Sequence, residues 1–568
     1  MQENKKRLFK EINKILSRKV LSKDELARLK IKLCKKYRVR KIPTDIEILL
    51  NTPANEIKKV KLSTFTKPGR TGSGVAVVAI MCEPRPCPHG ACTMCPSMTN
   101  EGVPQSYTGK EPATLRAIRN KFDAYLQVFN RLEQYIVMGH LPQKVELIIM
   151  GGTFPAYPRD YQINFVRDAF MAMNDFARMF FKEGSFDINK FRRFFELPSD
   201  INDKKRLERL HKKILKLKKE TSLKTAQKEN ETSQIRCVGL TIETRSDYAT
   251  LPHANLMLEL GCTRVELGVQ SVYERALKKI NRGHTTLDNI KSIAILKDLG
   301  FKLNFHMMIG LPGVKKEQDL RGLKKIFDDP RYRPDMLKIY PCMVVEHSAL
   351  FQDYLKGKYK PLTSPEAAEI IARFKTYVPR YCRIMRVQRD IPTYATVAGV
   401  DRTNLRQYVA ALMKKRNWKC NCIRCREPRS KFKGKDITLK NSIKLEVIRY
   451  KASKGQEFFI SFTDPVKDAI LGFVRMRYPA QHLRKEIAPK SALIRELHVY
   501  GMAMPFGSST SKSAQHSGLG KKLMQEAEKQ AKKDNKTKII VISGVGVREY
   551  YKKIGYKREG PYMVKYLK

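Results

Sequence analysis

Three cysteines, Cys87, Cys92 and Cys95, stand in C-x4-C-x2-C spacing on a loop rich in Pro and Gly, MCEPRPCPHGACTMCPS. Three thiolates this close can hold three irons of a cubane cluster and leave the fourth iron open to another ligand. The same spacing admits a zinc knuckle completed by Cys82 or His89. A second set, Cys420, Cys422 and Cys425 in C-x-C-x2-C, needs one more ligand for tetrahedral zinc. Cys342 is the first candidate and His347 the second; a disulfide or free thiols are the alternative. The hexapeptide QHSGLG, Gln515 to Gly520, runs into a helical stretch, KKLMQEAEKQAKK. Small residues there let backbone N–H groups at a helix amino terminus approach a pyrophosphate. An ordinary Gly turn before a helix is the plain alternative.

These loops need elements to hold them. GVAVVAIM (74–81) is a near-continuous β-branched run, the pattern of a buried parallel strand, and the three-Cys loop comes directly after it. Similar runs recur as VELIIMGG (145–152), IRCVGLTIET (235–244), RVELGVQS (264–271), KLNFHMMIGLPG (302–313) and DMLKIYP (335–341), with helical stretches between them. That cadence predicts βα units around a parallel sheet, a partial or full barrel, over 76–395. Residues 203–233 break the pattern and read as a Lys-rich charged insertion, a mobile helix and loop outside the sheet. A linker at 396–440 carries the second cysteine set, whose zinc would clamp the barrel's tail to the chain leading into the C-terminal domain. From 441 to 568, strands such as EFFISFTD and AILGFVRMRY, the Gly turn and helix, and TKIIVISGVG predict a compact mixed α/β domain. Residues 1–75 read as a basic helical segment.

The charge balance names a partner class. Lys and Arg number 112 against 56 Asp and Glu in 568 residues, a net charge of +56. Acids that do not keep pace with bases point away from a thermally adapted surface and toward salt-sensitive binding of polyanions. Nucleic acid is the first reading and an anionic membrane surface its competitor. No apolar run is long enough to span a membrane. The first sixteen residues lack the pattern of a signal peptide, and the twelve Cys are clustered, which suits metal in a reducing, cytoplasmic setting. Monomer and homodimer stay open.

The segments VELIIMGGTF, TIETRSD, RVELGVQS and HMMIGLPG, behind the three-Cys loop, resemble the radical-SAM superfamily strand by strand. That resemblance implies a [4Fe–4S] cluster on Cys87, Cys92 and Cys95 with S-adenosylmethionine on its open iron. It implies that the Gly151–Gly152 turn meets the methionine amino group and that Glu243 and Arg245 contact the cofactor. The commonest family spacing is C-x3-C-x2-C, one residue shorter in the first gap than here. Cys82 reads as a buried strand-end thiol.

LIRELHVYG (493–501), the Gly turn and SGVGVREYYKKIGYKREGPYM resemble GNAT-type acetyltransferases, which implies acetyl-CoA with Tyr550 and Tyr551 near its thioester. The two domains in this order resemble the catalytic subunit of Elongator, in its stand-alone archaeal or bacterial type, from about residue 75 onward. The resemblance implies synthesis of 5-carboxymethyluridine at wobble position 34 of tRNA. A SAM-derived 5′-deoxyadenosyl radical would take hydrogen from the acetyl methyl, the acetyl-derived radical would add to uridine C5, and hydrolysis would free the product from CoA. It further implies that Lys144 reaches acetyl-CoA from the barrel, and that Glu496, Leu497, His498, Val499, Gln515, Gly518, Leu519, Gly520, Lys521 and Tyr551 hold the CoA. The anticodon stem-loop would lie on the basic N-terminal segment, its target base splayed out. A reading from another class is a protein lysine acetyltransferase with a structural iron–sulfur cluster, though so cationic a protein is a poor receptor for cationic tails.

Overall fold

The computed structural model describes residues 2–57, 59–60, 74–199, 203–431, 443–500 and 518–567. The β-branched runs form a parallel sheet of β1 (Ala76–Met81), β2 (Lys144–Met150), β5 (Arg236–Thr244), β6 (Cys262–Gln270), β7 (Lys302–Ile309), β8 (Met336–Pro341) and β9 (Arg383–Arg386), paired in that order. A two-residue hairpin, β3 (Phe181–Lys182) and β4 (Ser185–Phe186), stands apart. The edges β1 and β9 do not pair with each other, so the barrel is partial. Its seventh strand, RIMR, is too short and too charged to stand out in the sequence.

Along each strand the residues alternate between two very different surroundings. On β2, Val145, Leu147 and Ile149 are fully buried in the apolar layer shared with the helices Ala124–Val137 and Arg159–Phe180. The alternate positions, Lys144, Glu146, Ile148 and Met150, face the barrel's interior. That interior is rich in charge, unlike the branched apolar filling usual in closed βα barrels.

The C-terminal domain is a second sheet, β10 (Lys444–Ala452), β11 (Gly455–Asp464), β12 (Ala469–Tyr478), β13 (Ser491–Val499), β14 (Lys538–Val541), β15 (Lys557–Glu559) and β16 (Tyr562–Tyr566), in the order β10-β11-β12-β13-β14-β16-β15. β13 and β14 are parallel and pair only from Ser491 to Ile494. β13 runs on to Val499 without β14, so the two strands splay into a cleft. The helix Leu519–Lys533 covers the sheet with Leu523, Met524, Ala527 and Ala531. At the other end of the chain, helices Gln2–Leu16, Lys23–Lys36 and Asp45–Leu50 enclose a small core of Leu8, Ile12, Leu26, Leu33 and Ile48. Ser22 and Glu25, and Thr44 and Glu47, form capping boxes that start the second and third of these helices.

The expectation of a mobile insertion over 203–233 is corrected. Helix Lys204–Leu215 is pinned by Arg206, which is buried, donates to Glu133 at 2.9 Å and bonds the carbonyl of Phe195. Helix Leu223–Asn230 packs on Arg159–Phe180, and Glu231 beyond it accepts from Arg548 and Lys552 of the C-terminal domain, each at 3.1 Å. The excess of Lys hid a helical pair whose few apolar and acidic positions do the packing.

The two sheets meet through buried charge. Arg495 donates to Asp335 at 2.5 and 2.8 Å and to Glu457 at 3.0 Å, and Arg477 pairs with Asp298 at 2.6 Å, all five side chains being buried. Arg475 bonds Glu496 at 2.8 Å and lies 3.7 Å from Asp335. Removing one partner of such a pair leaves an uncompensated buried charge, which costs about 3–5 kcal/mol. Arg495→Leu is therefore expected to lower the urea unfolding free energy by about that much. An unchanged midpoint would contradict the reading of this interface.

Candidate functional site

A cavity of about 1950 Å³ opens at the carboxyl ends of the barrel strands. Pockets for one small molecule run to about 1,000 Å³, so this one has room for a cofactor and part of a second ligand. Cys87, Cys92, Cys95, Gly152, Glu243 and Arg245 all line it. The loop after β1 carries the cysteines, the turn after β2 the glycine, and the end of β5 the last two.

Each loop sulfur meets polar groups. The Ser106 N–H donates to Cys95 Sγ at 3.1 Å and Gln105 Nε2 at 3.4 Å. Arg282 Nη1 donates to Cys92 Sγ at 3.6 Å, His89 Nε2 lies 3.3 Å from the same sulfur, and Thr153 Oγ1 is 3.7 Å from Cys87 Sγ. Burial pushes the Cys87 and Cys95 thiols up. Iron bound to the sulfurs would reverse that preference, and the N–H donors suit thiolate charge. The three sulfurs do not all fall within 4.8 Å of one another, whereas those of Cys420, Cys422 and Cys425 do. Sulfurs around one tetrahedral zinc sit about 3.8 Å apart, so the wider loop set suits a several-iron cluster and the tighter set a single ion.

Glycine is required where the sequence has it. Gly151 has φ +115°, and a Cβ there would stand 2.6 Å from Cys82 Sγ. Gly152 has φ +96°, and a Cβ there would stand 3.5 Å from Gln105 Cβ and 3.9 Å from Cys87 Sγ. Cys82 is buried, with its thiol pushed up to about 12 by burial and donating to the carbonyls of Met150 and Gly151. It braces the turn and does not face the cavity.

The floor of the cavity is ionic. Glu266 is buried and bound by Lys338 and by His306 Nε2 at 2.7 Å. Burial works against its charge, yet Lys338, His306 and Arg264 hold its carboxyl well below the usual carboxylate range. Lys338 also lies 3.6 Å from Glu243, which accepts from Tyr107 at 3.3 Å. Arg245 is buried against Asp247 at 2.6 Å. Glu266, His306 and Lys338 escaped the sequence reading, because inward charges on a barrel strand look like the polar side of any alternating strand. Gln105 and Arg282 escaped it because they come to the cysteine loop from loops without a motif of their own.

Lys144 is elsewhere. As first residue of β2 it lies at the opposite end of the barrel, opposite Arg236 in the sheet, and burial and that guanidinium lower its pKa. The acetyltransferase domain sits against this end. Its turn Val545–Val547 packs on β5, Gly546 leaving only 2.5 Å between a would-be Cβ and Arg236 Cβ. Glu496 bonds Lys302 at 2.9 Å, and His498 stacks on Phe473 and feels Glu496 and Glu146. Burial lowers the His498 imidazole to about 4, leaving it neutral, with a buried Nε2 that has no partner among the described residues. Leu497 and Val499 turn to the other face, against the domain's core.

Gly518, at φ +75°, caps the helix Leu519–Lys533; Leu519 is buried and Lys521 exposed. Gln515 falls outside the described residues. A Cβ on Gly520 would meet the Tyr550 hydroxyl at 3.0 Å, and that hydroxyl is buried without a partner among the described residues. Tyr551 is packed in the core against Tyr556. The two tyrosines thus divide, with Tyr550 facing the helix amino terminus.

The expected fourth ligand of the second cysteine set is corrected. Cys342, at the end of β8, is buried with Cys92, Cys95, Leu311 and Tyr359 beneath the first cysteine loop. His347 is exposed on the loop beyond. Neither joins Cys420, Cys422 and Cys425. Beside that set are Lys375, whose Nζ is 3.6 Å from Cys425 Sγ, and Cys382, whose carbonyl accepts from Ile423 N–H at 2.9 Å. They lie about fifty and forty residues away in sequence, where spacing is no guide.

Fold and site together define a radical-SAM half-barrel carrying a GNAT acetyltransferase domain. Family models agree: Radical SAM superfamily over residues 85–322, the Radical_SAM C-terminal domain over 334–415 and an acetyltransferase (GNAT) domain over 507–565. The chain is 42% identical to the tRNA uridine(34) acetyltransferase of Methanocaldococcus jannaschii over 99% of its own length and 97% of the relative's. It is 37% identical to human Elongator complex protein 3, covering 96% and 93%. The structure of Methanocaldococcus infernus Elp3 lacking its N-terminus superposes with a TM-score of 0.71 at 40% identity, over 87% of this chain and 100% of that one. The chain belongs to the family of the tRNA uridine(34) acetyltransferases and Elongator complex protein 3.

Gly151→Ala is expected to destabilise the chain by more than about 1 kcal/mol, through left-handed backbone strain and the clash with Cys82. A thermal midpoint equal to that of the unsubstituted chain would contradict this.

Proposed function

We propose that the chain modifies the wobble uridine of tRNA at C5, building a carboxymethyl group from acetyl-CoA. The observation that carries this reading is the cavity itself: three cysteines, a paired glycine turn and an ionic floor inside a barrel whose far end holds an acetyltransferase sheet. Cys87, Cys92 and Cys95 would hold a [4Fe–4S] cluster, and Gly152, Glu243 and Arg245 S-adenosylmethionine. Bound there, these groups would supply a carbon-centred radical able to take hydrogen from the acetyl methyl. Uridine C5 resists ordinary acyl transfer, so such chemistry suits the substrate.

The rest falls to the chain's own residues. The Ser106 N–H, Gln105 and Arg282 hold thiolate charge on the loop. Gly518 to Lys521 open a helix amino terminus to the CoA pyrophosphate, with the Tyr550 hydroxyl beside it. Neutral His498 and Lys144 stand where the thioester end of the cleft meets the barrel, placed to orient the acyl group. The mouth of the cavity is lined by Arg116, Arg119, Arg131 and Arg389 and by Lys5 and Lys6 of the N-terminal helices. Such a rim suits the phosphates of an anticodon stem-loop with a base turned into the cavity. No described helix is long and apolar enough to cross a membrane. Zinc on Cys420, Cys422 and Cys425 would tie the barrel's tail to the turn that leads into β12, where Arg426 bonds Asp468 at 2.9 Å.

Anaerobic incubation of reconstituted protein with tRNA, reductant, S-adenosylmethionine and acetyl-CoA is expected to give 5-carboxymethyluridine by nucleoside mass spectrometry, and Cys92→Ala to abolish it. Acetylation of a basic peptide with unmodified tRNA would favour the lysine acetyltransferase reading instead. Elemental analysis tests the metals separately. Cys422→Ser is expected to lose zinc and keep iron, Cys92→Ala the reverse, and Cys342→Ser to keep zinc. Zinc lost from Cys342→Ser and retained in Cys422→Ser would overturn the assignment.

A further inference from the structure

The two halves of this chemistry stand at opposite ends of one barrel. The cysteine loop lies beyond the carboxyl ends of the strands, and the acetyltransferase cleft meets their amino ends at Lys144, Arg236 and Lys302. Six strand residues at about 3.3 Å each put some 20 Å between them. If the proposed function holds, one two-carbon unit has to be present at both.

What lies between is polar. Arg264, buried on β6, reaches Glu146 toward the acetyltransferase end and lies 3.4 Å from Glu266 toward the cavity. Glu266 passes the ladder to Lys338, and Lys338 to Glu243 at 3.6 Å on the cavity floor. At the lower end Lys302 pairs with Glu496 of β13, and Glu496 also acts on the charge of Arg264. Ion pairs thus run from Glu146 through Arg264, Glu266 and Lys338 to Glu243 on the cavity floor, with Lys302–Glu496 as a separate pair at the acetyltransferase end.

Beside the ladder are polar atoms with nothing to bind. Asn304, fully buried on β7 and opposite Glu266, has no hydrogen-bond partner for either amide atom among the described residues. The hydroxyl of Thr241, buried on β5 opposite Arg264, and Arg264 Nε are likewise unpartnered. Buried polar groups are nearly always satisfied, and each one left bare costs about 1–3 kcal/mol. An amide and a hydroxyl bare along one line fit a guest that carries amides of its own. The acylated pantetheine arm of CoA, with two amides and a thioester, is such a guest. The open cavity reaches down only to Ile148, Glu266 and Lys338, and the Arg264 side chain lies just below.

We propose that the barrel lumen is the passage by which the acylated pantetheine arm reaches the radical cavity, and that Arg264, held between Glu146 and Glu266, is its gate. Glu496 offers the guanidinium a third anionic partner on the acetyltransferase side, so the gate can turn aside without losing charge pairing. The arm would then take up the bare atoms of Thr241 and Asn304. The competing route leads outside the barrel, past the unpaired edges β1 and β9.

Bromoacetyl-CoA distinguishes them, because its electrophilic carbon sits where the acetyl methyl would be. A thiol in the lumen would displace bromide and keep the acyl-CoA as a thioether. The full chain with Thr241→Cys is expected to gain this adduct at position 241, read by peptide mass spectrometry and suppressed by excess acetyl-CoA. Leu303→Cys, buried on the outward face of β7, is expected to stay unlabelled. Asn304→Cys repeats the test should Thr241→Cys misfold. Acetyl-CoA binding by equilibrium dialysis, with the lumen thiols spared, would overturn the passage alone. No acetyl-CoA binding at all would overturn the proposed function, and the passage with it.

Discussion

The structure depends on a seam of buried charge. Arg475, Arg477 and Arg495 rise from two strands of the acetyltransferase sheet and find Asp298, Asp335, Glu457 and Glu496 at or across the boundary with the barrel. Such pairs add little net stability over apolar packing, but they are unforgiving of misalignment. A hydrophobic seam could slide by a residue; this one cannot without stranding full charges out of water. It therefore fixes the splayed end of β13 and β14 against the amino ends of the barrel strands. Everything proposed about a shared acyl group rests on that fixed juxtaposition.

The same logic explains the barrel's interior. A partial sheet leaves its lumen open on one side, and the chain fills it with Glu146, Arg264, Glu266 and Lys338 in place of branched apolar residues. The apolar work is moved outward, to the layer between strands and helices. The result is a scaffold whose outside is rigid and whose centre can accept polar guests.

Six of the seven barrel strands were legible as β-branched runs, because burial of the outward face demands them. The cysteine loop, the Gly151–Gly152 turn and the Gly518–Gly520 helix start were legible because local backbone and metal chemistry set their spacing. Glu266, His306 and Lys338 were not, since an inward-facing charge and a solvent-facing one share the same period of two. Cys342 misled for a related reason. It comes after a strand in a Pro-flanked setting as a ligand would, but β8 carries it to the first cysteine loop, while Cys382 and Lys375 come to the second set from distant sequence. The 203–233 segment misled through composition: its Lys excess is the outer face of two helices held by Arg206 and Glu231.

The central claim is that one acetyl group is handled by both domains. The most direct measurement supplies the chain with acetyl-CoA fully deuterated at the methyl, together with S-adenosylmethionine and reductant, and weighs the 5′-deoxyadenosine released. Deuterium in that product is what this account predicts. Release of 5′-deoxyadenosine carrying only protium, from protein that binds acetyl-CoA, would contradict it.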